Sequence, residues 1–116
     1  MQRQASNRHM IVLQAFTFFF EYRRLMYSKS DHYSPVQAAA MRQQADYNVA
    51  RAFQQLGLFT FAARYYERAL RISEEVEGGL GKRDLVFECA HNLNLIFTLS
   101  GNNEAAKEIT EKYLVL

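Results

Sequence analysis

The sequence predicts an all-α fold of antiparallel helical hairpins, stacked as a short right-handed α-solenoid of about five helices. Three observations predict it. Residues 43–76 place small, aromatic and aliphatic side chains in the order that a helix pair needs: Tyr47-Asn48-Val49-Ala50, Ala52-Phe53, Leu56-Gly57, Phe59, Ala62, Tyr65-Tyr66, Ala69-Leu70 and Ile72. A weaker copy follows, in which Gly101 answers Gly57, Ala106 answers Ala62, Phe97 answers Phe53, Leu93 answers Val49 and Leu114 answers Leu70. No segment alternates convincingly as a strand.

That order of residues resembles the tetratricopeptide repeat, and each position has a physical reason. Ala50 and Ala62 fall where two helices cross closely, so only small side chains fit. Gly57 ends the first helix, since a left-handed residue costs glycine almost nothing. Phe53, Phe59 and Tyr66 fill the space between helices, and Ala69 lets the next pair approach. Such a pair cannot bury its apolar face alone and must stack on neighbours. The stack presents a curved surface that binds other proteins, so an adaptor is expected rather than an enzyme.

Residues 1–34 read as an N-terminal apolar helix and linker, a partial or capping element of the array. Residues 1–8 suggest a frayed start, with Asn7 as the cap of a helix running to about Ser28. Its apolar side chains fall on nearly every face, so cover on more than one side is expected. Lys29–Ser34 is a polar break. Residues 35–76 form a pair with an extended first helix, Pro35 to Leu56, started by Ser34 as cap and the sole proline at the first helical position. The second helix runs from about Phe59 to Val76. Residues 77–86 are a flexible glycine-rich loop holding Gly78, Gly79 and Gly81. This loop accounts for the spacing of 44 residues between Gly57 and Gly101, against the ~34 of a plain repeat. Residues 87–116 form the terminal pair, capped by Asp84, with helices to about Ser100 and over Asn103–Val115. Asn94 replaces a small residue there, and Tyr113 stands where alanine would admit a further repeat, which suits a last repeat. The first helix has no pair partner, so a longer array is expected around the chain.

The length allows one domain. Cys89 is the sole cysteine, so no intrachain disulfide forms and a reducing compartment is the default. The apolar run Met10–Phe20 is far shorter than the ~20 residues of a membrane span, so no membrane association is expected. The net charge is +2, but residues 1–30 hold five basic and one acidic side chain. Arg3, Arg8, Arg23, Arg24 and Lys29 are too few and scattered for tight DNA binding, and the first helix's aromatic residues fall where a core wants them.

The sequence contains no phosphate-binding glycine loop, CxxC or HExxH. Glu88, Cys89 and His91 point different ways on one helix and form no joint site. No catalytic residue, metal, cofactor or small-molecule substrate is expected. Function should lie in the groove lined by the first helix of each pair. Its positions are Gln44, Tyr47, Asn48, Arg51 and Gln55, then Glu88, His91, Asn92, Leu95 and Leu99. Asn48 and Asn92 are equivalent, and an amide there can hold a peptide backbone or tie neighbouring helices together. Co-chaperone repeats that clamp a C-terminal carboxylate pair such asparagines with lysines. Gln44 and Glu88 stand where those lysines would be.

A closer resemblance is carried by Arg8-His9, Val12-Leu13-Gln14-Ala15-Phe16, Phe18-Phe19-Phe20-Glu21-Tyr22, the unbroken run Tyr47–Leu58, Tyr65-Tyr66-Glu67-Arg68-Ala69-Leu70, Ala90–Phe97 and Ser100-Gly101. Many polar residues in the run from Asn48 to Gly57 are not demanded by the repeat itself. Over about residues 8–115 the chain resembles the C-terminal region of the large tetratricopeptide subunit of TFIIIC, the general factor of RNA polymerase III transcription. The resemblance implies a nuclear scaffold on tRNA and 5S rRNA genes. Its implied partners are other TFIIIC subunits and, secondarily, TFIIIB components, with DNA contact through the complex. The alternative is a free-standing peptide-binding adaptor such as a co-chaperone module.

Overall fold

The computed structural model describes residues 2–115, with side chains from Asn7 onward. Helix α1 spans Gln2–Ser30, α2 Pro35–Gln55, α3 Phe59–Glu74, α4 Val86–Leu99 and α5 Asn103–Ile109. A 3-10 turn, Gly81–Arg83, precedes α4, and a π-helical turn, Thr110–Leu114, extends α5. The described residues are all-helical, in antiparallel pairs of tetratricopeptide type.

The caps explain the boundaries. The Ser34 hydroxyl accepts from the Gln37 amide at 3.4 Å, with Pro35 at the first helical position. At the end of α2 the Leu58 amide donates to the Phe53 carbonyl at 2.9 Å and the Gly57 amide to Gln54 at 3.0 Å. Gly57 has φ +76°. This is a Schellman closure, and it recurs at Gly101 (φ +80°), where Asn102 donates to Phe97 and Gly101 to Thr98. The two glycines paired in the sequence therefore do the same work at the same place in each hairpin.

Phe53 is the hub of the core. Fully buried on α2, it meets Phe16 at 5.0 Å and Phe19 at 5.5 Å from α1, and Phe61 and Tyr65, both at 5.7 Å, from α3. Ala50 and Ala62 are wholly buried at the α2–α3 crossing. Cys89, Ala90, Leu93 and Ile96 carry the same core into α4. Two ring contacts, Phe16 edge-on to Phe61 at 5.2 Å and Phe20 tilted against Tyr65 at 6.3 Å, link α1 to α3, which run in the same direction.

Several expectations are corrected. Phe59, expected between the helices, opens α3 and is exposed, whereas Phe53 and Tyr66 are buried. Asn7 lies inside α1 rather than at its cap. That helix is covered along the side facing α2 and α3, whereas Leu13, Phe18 and Leu25 are exposed, Phe18 by 67%. So its aromatic residues do not all serve the core: Phe16 and Phe19 do, Phe18 does not. The segment between α3 and α4 is anchored rather than loose, because Leu80 is buried against Ala39 and Ile72. Finally, α4 begins at Val86, and Asp84 acts two residues ahead, its carboxylate accepting from the Val86 amide at 3.0 Å. Asn94 has a role the sequence did not disclose: its amide donates to the Ala106 carbonyl and to Thr110 Oγ1, both at 2.8 Å, tying α4 to α5.

Ala62→Trp should overpack the α2–α3 crossing and cost at least about 1–3 kcal/mol. A thermal melt is the check; an unchanged midpoint would contradict the crossing geometry.

Candidate partner-binding face

The positions singled out on α2 and α4 occupy corresponding faces of the two helices. On α2, Gln44, Arg51 and Gln55 are exposed. Tyr47 is half-buried, its ring 6.1 Å from that of Tyr66, and the Arg51 guanidinium lies 5.6 Å from the Tyr47 centroid. On α4, Glu88, His91, Leu95 and Leu99 are exposed. Phe87, His91, Leu95 and Leu99 recur every fourth residue and so form one stripe. The α2 side of the face is polar with a single cation, and the α4 side mixes Glu88, His91 and Asn92 with Phe87, Leu95 and Leu99. Among the described residues no hydrogen bond joins the two sets.

The two asparagines, equivalent in sequence, behave differently. Asn48 Nδ2 donates to the Tyr22 hydroxyl at 2.9 Å, which fastens α2 to α1. Asn92 Nδ2 donates to the Glu88 carbonyl at 2.8 Å, within its own helix. Each amide is therefore engaged within the chain, Asn48 between helices and Asn92 inside α4.

A polar cluster beneath this face went unread in the sequence. Asp46 is wholly buried. Its carboxylate accepts from Arg23 Nε at 2.5 Å and from the Tyr27 hydroxyl. Burial pushes the Tyr27 phenol far above its ordinary range, and the Asp46 charge adds to this. The Arg23 guanidinium also lies over the Tyr27 ring at 4.2 Å. Gln43, equally buried, uses its whole side-chain amide: Nε2 donates to the Ala69 carbonyl at 3.1 Å and to Asp84 at 3.0 Å, and Oε1 accepts from the Leu85 amide at 2.9 Å. The signal was present in the spacing. Ala39, Gln43, Asp46, Ala50 and Phe53 follow one another at steps of four and three, which sets two polar residues in the buried stripe of α2.

Cys89 is buried in the core, and burial, followed by the charges of Glu88, Asp84 and Asp46, pushes its thiol up to about 12. That keeps it neutral and poorly nucleophilic at physiological pH. Among the described residues no group of His, Cys, Asp and Glu side chains is placed to hold a metal ion, and no helix is long and apolar enough to cross a membrane.

Comparison with known proteins gives a consistent result. Transcription factor tau subunit sfc4 of Schizosaccharomyces pombe is 35% identical over 124 aligned residues, covering 99% of this chain and 12% of that protein. The transcription factor tau 131 kDa subunit of Saccharomyces cerevisiae is 33% identical, covering 98% of this chain and 10% of its own length. The chain resembles a segment of a TFIIIC subunit. Human general transcription factor 3C polypeptide 3 is 32% identical over 97% of the chain and 11% of the human protein. The TFIIIC-like chain thus spans about a tenth of the length of the curated relatives it matches. No family model matches it, and no solved structure does.

Asp46→Ala leaves Arg23 and Tyr27 without their buried partner and should cost about 3 kcal/mol, read as a lower denaturant midpoint. Asp46→Leu, which fills the space without restoring the charge, should not recover it while Arg23 remains.

Asn48→Ala should lower stability by about 1 kcal/mol through the lost Tyr22 hydrogen bond, whereas Arg51→Ala should leave the melting temperature unchanged. Equal melts for both variants would show that the Asn48–Tyr22 bond contributes nothing to the α1–α2 contact.

Proposed function

We propose that this chain is a protein–protein interaction scaffold, a piece of a TFIIIC subunit that helps assemble the RNA polymerase III pre-initiation machinery on tRNA and 5S rRNA genes. The observation that carries the proposal is the similarity to TFIIIC subunits over 97–99% of the chain in three organisms. The partners are other TFIIIC subunits, with TFIIIB components as a second set, and the compartment is the nucleus. The exposed face built from Gln44, Tyr47, Arg51, Gln55, His91, Asn92 and Leu95 is the docking surface, with Tyr47 and Leu95 as apolar contacts and Arg51 as the charged one. Asn48 supports that face from below through Tyr22.

Contact with DNA is indirect in this reading. Of the basic residues at the start, Arg23 is held by the buried Asp46, and Arg24 pairs with Glu21 at the surface, so the local charge there is partly offset. The side chain of Arg3 lies outside the described residues. The remaining cations would give a few phosphate contacts at most, and such binding fades steeply with salt. The co-chaperone alternative needs a carboxylate clamp, and Arg51 is the only cation among the ten groove positions.

Tagged chain incubated with nuclear extract should retain TFIIIC subunits, identified with antibodies to each, and Arg51→Ala with Leu95→Ala should reduce that recovery while leaving the melt intact. Recovery of chaperone C-terminal tails with no TFIIIC subunit would favour the free-standing adaptor. In a shift assay at near-physiological salt, sub-micromolar binding of a tRNA-gene duplex would overturn the indirect role.

A further inference from the structure

The outward side of α3, away from the face discussed above, carries Arg64, Arg68 and Arg71. At steps of four and three they form one line along the helix, spanning roughly 10 Å. Among the described residues none of the three is within ion-pair distance of a carboxylate, although α3 also carries Glu67 and Glu74. Glu74 is instead engaged by Lys112 at 3.4 Å. Two of the guanidiniums are set by rings beneath them: Arg64 lies 6.0 Å from the Phe61 centroid and Arg68 4.9 Å from Tyr65. A planar cation held over a ring keeps its N–H edges outward and loses less freedom when it binds. At the start of the line Phe61 and Phe20 remain 37% and 43% exposed, so an apolar step adjoins the row of charges.

We propose that this ridge docks an acidic protein segment, with glutamates or aspartates meeting Arg64, Arg68 and Arg71 and an apolar side chain seated on Phe61 and Phe20. Charge complementarity selects the occupant. Three forked donors with free edges match carboxylates spaced at i, i+4 and i+7 on a helix laid alongside α3. A nucleic acid fits less well. Glu67 lies within the row, three residues after Arg64 and four before Arg71, and Glu75 follows Arg71 by four, so an unbroken chain of phosphates would be repelled where a mixed-charge protein segment would not. Phe61 and Phe20 are also engaged by neighbours, Phe61 by Phe16 at 5.2 Å and by Arg64, and Phe20 by Phe16 at 5.6 Å. What they offer is an edge for apolar contact rather than an open face for a stacked base. This second surface is independent of the α2–α4 face, so a scaffold using both would hold two partners on opposite sides.

The test is fluorescence anisotropy with the intact chain and a labelled helical peptide bearing glutamates at i, i+4 and i+7 beside leucines. At near-physiological salt the peptide should bind in the micromolar range, and Arg64→Glu with Arg68→Glu should weaken it by at least about tenfold, or 1.4 kcal/mol. Arg71→Glu, whose side chain lies over no ring, is the companion variant should the double change disturb folding, and it should weaken binding in the same direction. Arg51→Glu on the other face should have no effect. The same peptide with glutamine for glutamate should bind at least about tenfold more weakly. Absence of peptide binding, or binding indifferent to these arginines, would overturn the proposal. So would a single-stranded oligonucleotide that bound more tightly than the peptide through the same residues.

Discussion

The position of the first helix depends on one buried charge. Asp46 sits in the apolar stripe of α2 with no access to water, a site where an unpaired carboxylate would be strongly destabilising. Arg23 and Tyr27, one helical turn apart on α1, supply both of its partners. A rotation of α1 by one residue would remove them together. Apolar packing alone would specify this less sharply, because α1 has aromatic or aliphatic side chains on most of its circumference. The ion pair therefore chooses which of them enter the core. Phe16 and Phe19 turn toward Phe53, and Phe18 and Leu25 are left outside. Replacing a buried pair by apolar residues is often no worse for stability, so its value here lies in specifying an orientation.

The second hairpin is fixed by a different device. Its Schellman closure copies that of the first, so the turn geometry is the same at Gly57 and Gly101 despite ten additional residues between them. The insertion does not float, because Leu80 enters a small core with Ala39 and Ile72, and Asp84 is held by Gln43. The α2 and α4 faces consequently keep a defined relation, which a surface that binds a partner through both helices requires.

The helices, their caps and the aromatic core were legible in the sequence because local rules govern them. Ser34-Pro35, Gly57 and Gly101 act through their own backbones, and Ala50, Phe53 and Ala62 announce themselves by size and spacing. The polar junctions were legible only in part. Spacing puts Gln43 and Asp46 in the buried stripe of α2, but it does not say what they bond to, because those partners lie 19 to 42 positions away. Asn48 left two readings open, a hold on a peptide backbone or a tie between helices, and its bond to Tyr22, 26 residues earlier, is a tie that local sequence could not name. Asn7 is a plausible cap by type, yet nothing in the local sequence stops the helix from beginning sooner. The arginines of α3 were visible as residues, but their lack of carboxylate partners emerges only once the neighbouring helices are in place.

Gln43 has one more consequence. In a stack of hairpins each helix touches mainly its neighbours, so a disturbance at one end dies out within a repeat or two. A single amide that holds the Ala69 carbonyl of α3, the Asp84 carboxylate and the first free amide before α4 shortens that distance. Two of these bonds, to Asp84 and from Leu85, join α2 directly to the opening turn of α4 without passing through the length of α3. The insertion between the hairpins is thus a spacer in sequence but not in mechanics: the two halves bear load together.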